Sequence, residues 1–289
     1  MPRKKLPSTK SKTSYPAGLK SSLKSYVFKG LSLGGGKTNK TAVANIEYFV
    51  SKNKIFLHSL KNKIKTEKDY SSDQQLFEYL NDSRSNLKYI AVNASLSMPT
   101  CITCKLKCPG FEKCTEPEIL WLWDIHRELK KKRLFTPYTE RCAEVYISNR
   151  LEEKFSLPHA LGANMAPLTA RAYYLMRRIN KPFIEVYPKL SLWRIGRSIG
   201  IQKSYLRYHK HAVSGEEVRE AIVNHLIKAE IAFIYDEDKK VLIEDNSSFE
   251  AFLCAITGVL KYKKQVEPRP KDFPKKEAWI DFPKEEINW

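Results

Sequence analysis

No uncharged apolar run in this 289-residue chain approaches the ~18–20 residues of a membrane-spanning helix. The longest candidate, residues 251–260, is about half that length, so no membrane partner is expected. The N-terminus is basic with no apolar stretch behind the charges, so a secretory signal is not expected either. Histidine forms no constellation: His209 and His211 stand two apart with no further ligand tied to them. The six cysteines are not spread as pairs, because four of them fall within residues 101–114. There is no internal repeat. Acid is scarce beside base, with 32 Asp+Glu against 51 Lys+Arg and a formal net charge of +19. What is present is 42% hydrophobic residues, enough for a sizeable core. A soluble, basic, cytoplasmic protein is the expectation.

The positive charge sits in two places. Residues 1–24 carry seven Lys/Arg and no acid among Ser, Thr and Pro, which reads as a flexible basic arm preceding a domain at 25–289. Residues 171–211 hold ten Lys/Arg and one acid, Glu185, with aromatic residues interleaved. That block has helix and strand periodicity, so it is folded. Folded like charges repel one another, which points to a polyanion partner, nucleic acid before membrane. Arg171, Arg177, Arg178, Arg194, Arg197, Lys203 and Arg207 are the candidate contacts. Arg194 and Arg197 are three apart on a predicted helix and share a face. The competing reading for each is a surface salt bridge.

Hydrophobic alternation predicts strands at 26–33, 41–49 and 54–60, a three-strand meander. Ser72–Gln75 reads as a capping box opening a helix, followed by a strand at 89–93 and a helix at 116–133. Helices at 165–179 and 190–199 flank a strand at 183–187. Capping boxes at Ser214 and Ser247 open two more helices, with a strand at 231–235 between them. Residues 262–289 are Pro-rich yet aromatic, and are expected to pack on the domain as an arm. The sum is an α/β protein with a mixed sheet and helices on both faces.

Gly34-Gly35-Gly36-Lys37-Thr38 invites a phosphate-loop reading, but the spacing fails and the next segment is strand-like rather than helical. A hairpin turn fits better. The Cys101-x2-Cys104-x3-Cys108-x5-Cys114 cluster, within an insertion at 99–116, has the density of a metal site. Four thiolates suit tetrahedral Zn²⁺ at ~2.3 Å, an iron–sulfur cluster uses the same ligands, and an unmetallated loop is the third possibility. Cys142 and Cys254 lie in apolar settings and read as packing thiols.

Glu185, in Phe183-Ile-Glu-Val-Tyr-Pro188, is either a structural partner for an Arg or a metal ligand. Glu144, in Arg141-Cys-Ala-Glu144, poses the same choice. Glu250 falls at the third position behind Ser247, where a capping role is its simplest explanation.

Arg141-Cys-Ala-Glu144, Ile184-Glu-Val-Tyr-Pro188, Leu192-Trp-Arg194, Phe249-Glu-Ala-Phe-Leu-Cys-Ala255 and Ala278-Trp-Ile-Asp-Phe-Pro283, in that order, resemble domain-of-unknown-function 429, the predicted nucleases of RNase H-like fold. The resemblance spans about residues 26–283. It implies a β-β-β-α-β start and metal-dependent phosphodiester cleavage. Two Mg²⁺ or Mn²⁺ ions ~3.5–4 Å apart would be held by converging carboxylates. The resemblance nominates Glu144, Glu185 and Glu250 as that set. The chain departs from the pattern at Ser32, Asn39 and Asn93, each standing where an Asp is expected. Missing charges weaken a site for hard cations. Two functions therefore follow: a metal-dependent nuclease, or a non-catalytic relative that only binds nucleic acid.

Overall fold

The computed structural model describes residues 24–35, 40–81, 86–130, 134–151, 157–207, 209–211 and 214–289. The basic arm, apart from Lys24, lies outside the described residues, as does Asn39. Three strands come first: β1 (Ser25–Ser32), β2 (Thr41–Phe49) and β3 (Lys54–Ile64). They pair antiparallel in sequence, as the meander predicts. After α1 (Ser72–Leu80), β4 (Leu87–Val92) returns parallel to β1. A long excursion then carries α2 (Thr100–Thr103), a 3₁₀ turn (Phe111–Lys113), α3 (Pro117–Glu128), α4 (Cys142–Arg150) and α5 (Ala166–Arg178). It ends in β5 (Phe183–Val186), parallel to β4. The remainder is α6 (Pro188–Ser198), α7 (Lys203–Leu206), α8 (Gly215–Lys228), β6 (Ala232–Phe233), α9 (Asp236–Glu244), α10 (Asn246–Tyr262) and β7 (Ile280–Asp281). The seven strands form one mixed sheet in the order β6-β3-β2-β1-β4-β5-β7.

Strand periodicity decides which residues meet which helices. On β1, Val27 and Leu31 face α1 and α5 in one cluster, with Leu76, Leu80, Ala172 and Leu175. Phe28 faces the other way, against α10. From Ser247 to Leu260 α10 is buried all round, as befits a helix apolar on every face. It lies so close to β1 that a Cβ on Gly30 would stand 1.9 Å from the Ala251 carbonyl oxygen. Only a residue without a side chain fits there, and that contact fixes the height of α10 over the sheet.

The helix starts differ from the capping-box reading. Ser71, not Ser72, caps α1, its Oγ accepting from the Gln74 N–H at 3.1 Å. Asp245, not Ser247, caps α10, accepting from the Ser248 N–H at 3.0 Å. Ser214 precedes α8 without a side-chain cap bond. The shift at α10 releases Glu250 from capping. The Gly-rich segment after β1 leads into β2, a strand, and residues 36–39 lie outside the described residues. Among the described residues no helix is long and apolar enough to cross a membrane.

Candidate functional site

The three nominated carboxylates do not converge. Glu185, on β5 one strand in from the β7 edge of the sheet, is paired in register with Val92 of β4. Its neighbours Ile184 and Val186 pack with Ala91 and Cys254 of α10, so Glu185 points to the opposite face. There it meets Arg141, whose side chain is 1% exposed. Arg141 donates from Nη2 to Glu185 Oε1 at 2.5 Å, from Nη1 to Glu185 Oε2 at 2.9 Å and from Nε to Glu144 Oε1 at 2.7 Å. Nη1 also reaches Ser97 Oγ at 3.0 Å. Backbone groups complete the clasp: the Leu96 N–H donates to Glu185, and the Arg141 and Ala160 N–H groups to Glu144. Glu144 sits in the first turn of α4, where it caps the helix as well as pairing with Arg141.

Burial works against the Arg141 charge, but Glu185 and Glu144 outweigh it and hold the guanidinium above its usual range. Burial pushes the Glu185 carboxyl up, and Arg141 pulls it back. A fourth group comes from the C-terminal arm. Glu277 accepts from the Cys142 and Ala143 N–H groups at 2.9 and 2.7 Å, at the start of α4. Its carboxyl is pushed up to about 7 by burial, which these hydrogen bonds only partly offset. Of the two readings open for Glu185, the structure gives the arginine partner.

Glu250 belongs to a separate corner on the α10 face. Ser32 ends β1 and Asn93 follows β4, adjacent strands with parallel directions. The Asn93 Nδ2 donates to Ser32 Oγ at 3.1 Å, and Ser32 Oγ–H points to Glu250 Oε2 at 3.4 Å. Asn93 Oδ1 accepts from the Leu33 N–H at 2.7 Å. Lys210, with its side chain 57% exposed, places Nζ 2.5 Å from Glu250 Oε1. Beside them His209 is buried, its Nδ1 facing the Leu206 carbonyl at 3.2 Å, while Nε2 has no hydrogen-bond partner among the described residues. Burial brings His209 down to about 4, so it is neutral at physiological pH. Burial, and then Glu250, push the Tyr187 hydroxyl up to about 12. The corner can hydrogen-bond a ligand, but it offers one carboxylate, already paired.

The basic block divides. Arg171 is buried and structural: it donates to Asp73, to the Gly34 carbonyl and to Thr41 Oγ1, tying the end of β1 and the start of β2 to α1. Arg194 is buried against Trp193 and Phe282, with Glu267 and Glu285 at 3.7 and 3.9 Å. Arg197 pairs with Glu285 at 2.9 Å. Arg178 is exposed but lies over Phe77, and Lys203 lies near the Trp193 ring. Arg177, Lys189, Arg207 and Lys210 are exposed. Sequence reasoning missed Arg141, Lys210, His209 and Glu277 as participants. Arg141 carried a signal as part of a noted motif and Lys210 as one of the ten basic residues of 171–211, whereas Glu277 carried none.

Cys101 and Cys114 are half-buried, Cys104 and Cys108 exposed, Cys142 and Cys254 buried. The Cys101 thiol is pushed up by burial first and then by Cys114, Cys108 and Cys104. Among the described residues, no three His, Cys, Asp or Glu side chains stand together as a metal-holding group. No family model, no curated protein and no solved structure matches this chain.

Proposed function

We propose that this protein is an RNase H-like, non-catalytic nucleic-acid-binding protein. The order β3-β2-β1-β4-β5, with an antiparallel meander first and parallel strands after, supports the RNase H-like architecture. One observation carries the functional choice. Each carboxylate that a catalytic Mg²⁺ or Mn²⁺ pair would need is already paired with a cation of the chain, Glu144 and Glu185 sharing Arg141 and Glu250 meeting Lys210. Ser32 and Asn93 at the ends of β1 and β4 add hydrogen-bonding oxygens without charge, a poor substitute for hard-cation ligands. A two-metal mechanism requires several converging carboxylates, and here they lie on two faces.

Binding is favoured by what surrounds the corner. Lys189 and Lys210 are exposed, and the charge of both reaches His209. With a net charge of +19, such a rim attracts a phosphate backbone and releases its counterions. Anisotropy titrations of labelled single- and double-stranded DNA and RNA across a salt series test this. Binding that weakens steeply with salt, with no cleavage in Mg²⁺ or Mn²⁺, is the expected result. Cleavage abolished by Glu185→Gln or Glu250→Gln would restore the nuclease reading, and salt-independent binding would sink both.

A further inference from the structure

The end of the sheet away from the Ser32–Glu250 corner interleaves tyrosines with lysines. Tyr26 of β1 stands opposite Tyr48 of β2 in register. Tyr262, the last residue of α10, packs on both, its ring centre 4.9 Å from that of Tyr26 and 6.1 Å from that of Tyr48. Phe28 links Tyr262 to Tyr89 of β4, at ring-centre distances of 5.9 and 6.3 Å. Tyr48 is buried, whereas Tyr26, Tyr89 and Tyr262 are half-buried. Where apolar packing stops, lysines lie over the rings. Lys88 and Lys24 are 4.3 and 5.7 Å from the Tyr26 centre, and Lys261 is 5.7 Å from that of Tyr89. Lys261 has a structural duty, because it pairs with buried Asp281 at 2.6 Å and suits the C-terminal end of α10. Lys24 and Lys88 pair with no acid among the described residues. Glu47, the one acid of β2, lies on the opposite face, where it accepts from Ser25 Oγ.

The basic segment 1–24 joins the fold at Lys24, so its charge enters on this face. Beyond Lys261 the face opens into a cavity of about 400 Å³ lined by Phe183, Arg269, Trp279 and Asp281, a volume in the range of small-ligand pockets. We propose that this face is a second nucleic-acid contact, selective for unpaired strands, in which bases stack on Tyr26, Tyr89 and Tyr262 and the cavity receives one unstacked nucleotide beside Arg269. A lysine over a half-buried ring marks a ring face that apolar packing leaves uncovered. At an exposed site that contact is weak, whereas an ammonium on a phosphate oxygen is a strong charge-assisted pair. Lys24 and Lys88 therefore turn to the phosphates when a strand arrives, and the uncovered ring takes a base. Stacking of this kind tolerates any base, because each has a π face. A duplex keeps its bases stacked inside and cannot use the rings. Tyr26 and Ser32 are six residues apart on β1, about 20 Å, so this face shares no contact with the corner. It takes from the proposed function the ligand class alone.

Anisotropy titrations of the full chain with labelled oligothymidylate, oligouridylate and a duplex test the assignment. Tyr26→Leu keeps the apolar bulk and removes the aromatic ring. It should weaken single-strand binding by about tenfold and leave duplex affinity unchanged. Lys24→Gln/Lys88→Gln should lower the single-strand salt slope by about 1.4, and Arg269→Gln by about 0.7. Because Tyr26→Leu risks disturbing the sheet, a second measurement uses the wild type alone. Irradiation of bound 5-iodouridine RNA should cross-link to Tyr26, Tyr89 or Tyr262, read by mass spectrometry of the peptides. Unchanged single-strand affinity in Tyr26→Leu, or cross-links confined to other residues, would overturn this face, while a loss in Lys210→Ala would leave the corner standing. Duplex affinity equal to single-strand affinity would overturn the selectivity for unpaired strands. An unchanged slope in Arg269→Gln would remove the cavity from the contact, and no binding of any nucleic acid would overturn both surfaces.

Discussion

The two faces of the sheet hold two acidic clusters that solve the same electrostatic problem differently. On the α5 face, Glu144 and Glu185 are taken fully out of water with a single guanidinium between them. On the α10 face, Glu250 keeps company with two neutral side chains and an exposed lysine. A buried pair is hard to break, because removing one partner leaves a charge with nowhere to go. An exposed lysine can swing away at little cost, since surface pairs contribute only about 0–1 kcal/mol. The closed cluster is therefore a structural rivet, and the open corner is where the proposed nucleic-acid ligand would exchange partners with the protein.

The largest expected effect tests the rivet. Arg141→Ala should destabilise the fold by about 3–5 kcal/mol, read from urea unfolding. A loss under about 1 kcal/mol would show that Glu144 and Glu185 have another counter-charge. Next, Gly30→Ala should lower stability by about 2–3 kcal/mol, because the added methyl must push α10 off β1. It should also widen the Ser32–Glu250 gap and weaken nucleic-acid binding, whereas Arg141→Ala in any folded fraction should leave binding intact.

The pH responses of the clusters should have opposite signs. Glu277, beside the rivet, has a folded pKa raised from 4.5 to about 7. Its contribution is fully present below pH 4.5 and is lost as pH rises through 7. His209, beside the corner, is depressed from 6.5 to about 4. Its contribution is present above pH 6.5 and is lost as pH falls through 4. Each change should amount to about 3 kcal/mol, and Glu277→Gln and His209→Gln should each flatten their own side of the profile. A Glu277→Gln profile that still falls above pH 5 would assign that slope elsewhere. The smallest effect concerns Lys210→Ala, which should leave stability within about 0.5 kcal/mol and reduce the salt slope of nucleic-acid binding by about one. An unchanged slope would take Lys210 out of the interface.

Much of the sheet was legible because its signal is local. The alternation in β1 to β3 and the apolar run of β4 announce themselves over a few residues each. Of the two-residue strands, β6 (Ala232–Phe233) falls within the strand predicted at 231–235, whereas β7 (Ile280–Asp281) is a tertiary feature that pairs with β5 across a long sequence separation. The cap of α10 was misplaced because Asp245, Asn246, Ser247 and Ser248 are all good capping residues, and packing against β1 chose among them. The site was less legible still. Sequence offered three carboxylates but no means of assigning Glu185 and Glu250 to opposite faces. The basic block looked continuous because charge is visible in a sequence and pairing is not. Arg171 and Arg194 find acids 98 and 73 positions away, at Asp73 and Glu267.

Glu277 carries a consequence for how the molecule is made. The first N–H groups of α4 wait for a carboxylate that follows Cys142 by 135 positions, and β5 waits 95 positions, from Glu185 to Ile280, for its outer neighbour β7 to emerge. A chain leaving the ribosome can assemble the meander and both helical layers while its outermost strand and one helix cap are still missing. These late contacts are thus supplied by a segment translated well after the elements it joins. A nascent chain should gain much of its resistance to proteases only when residues 277–283 clear the exit tunnel.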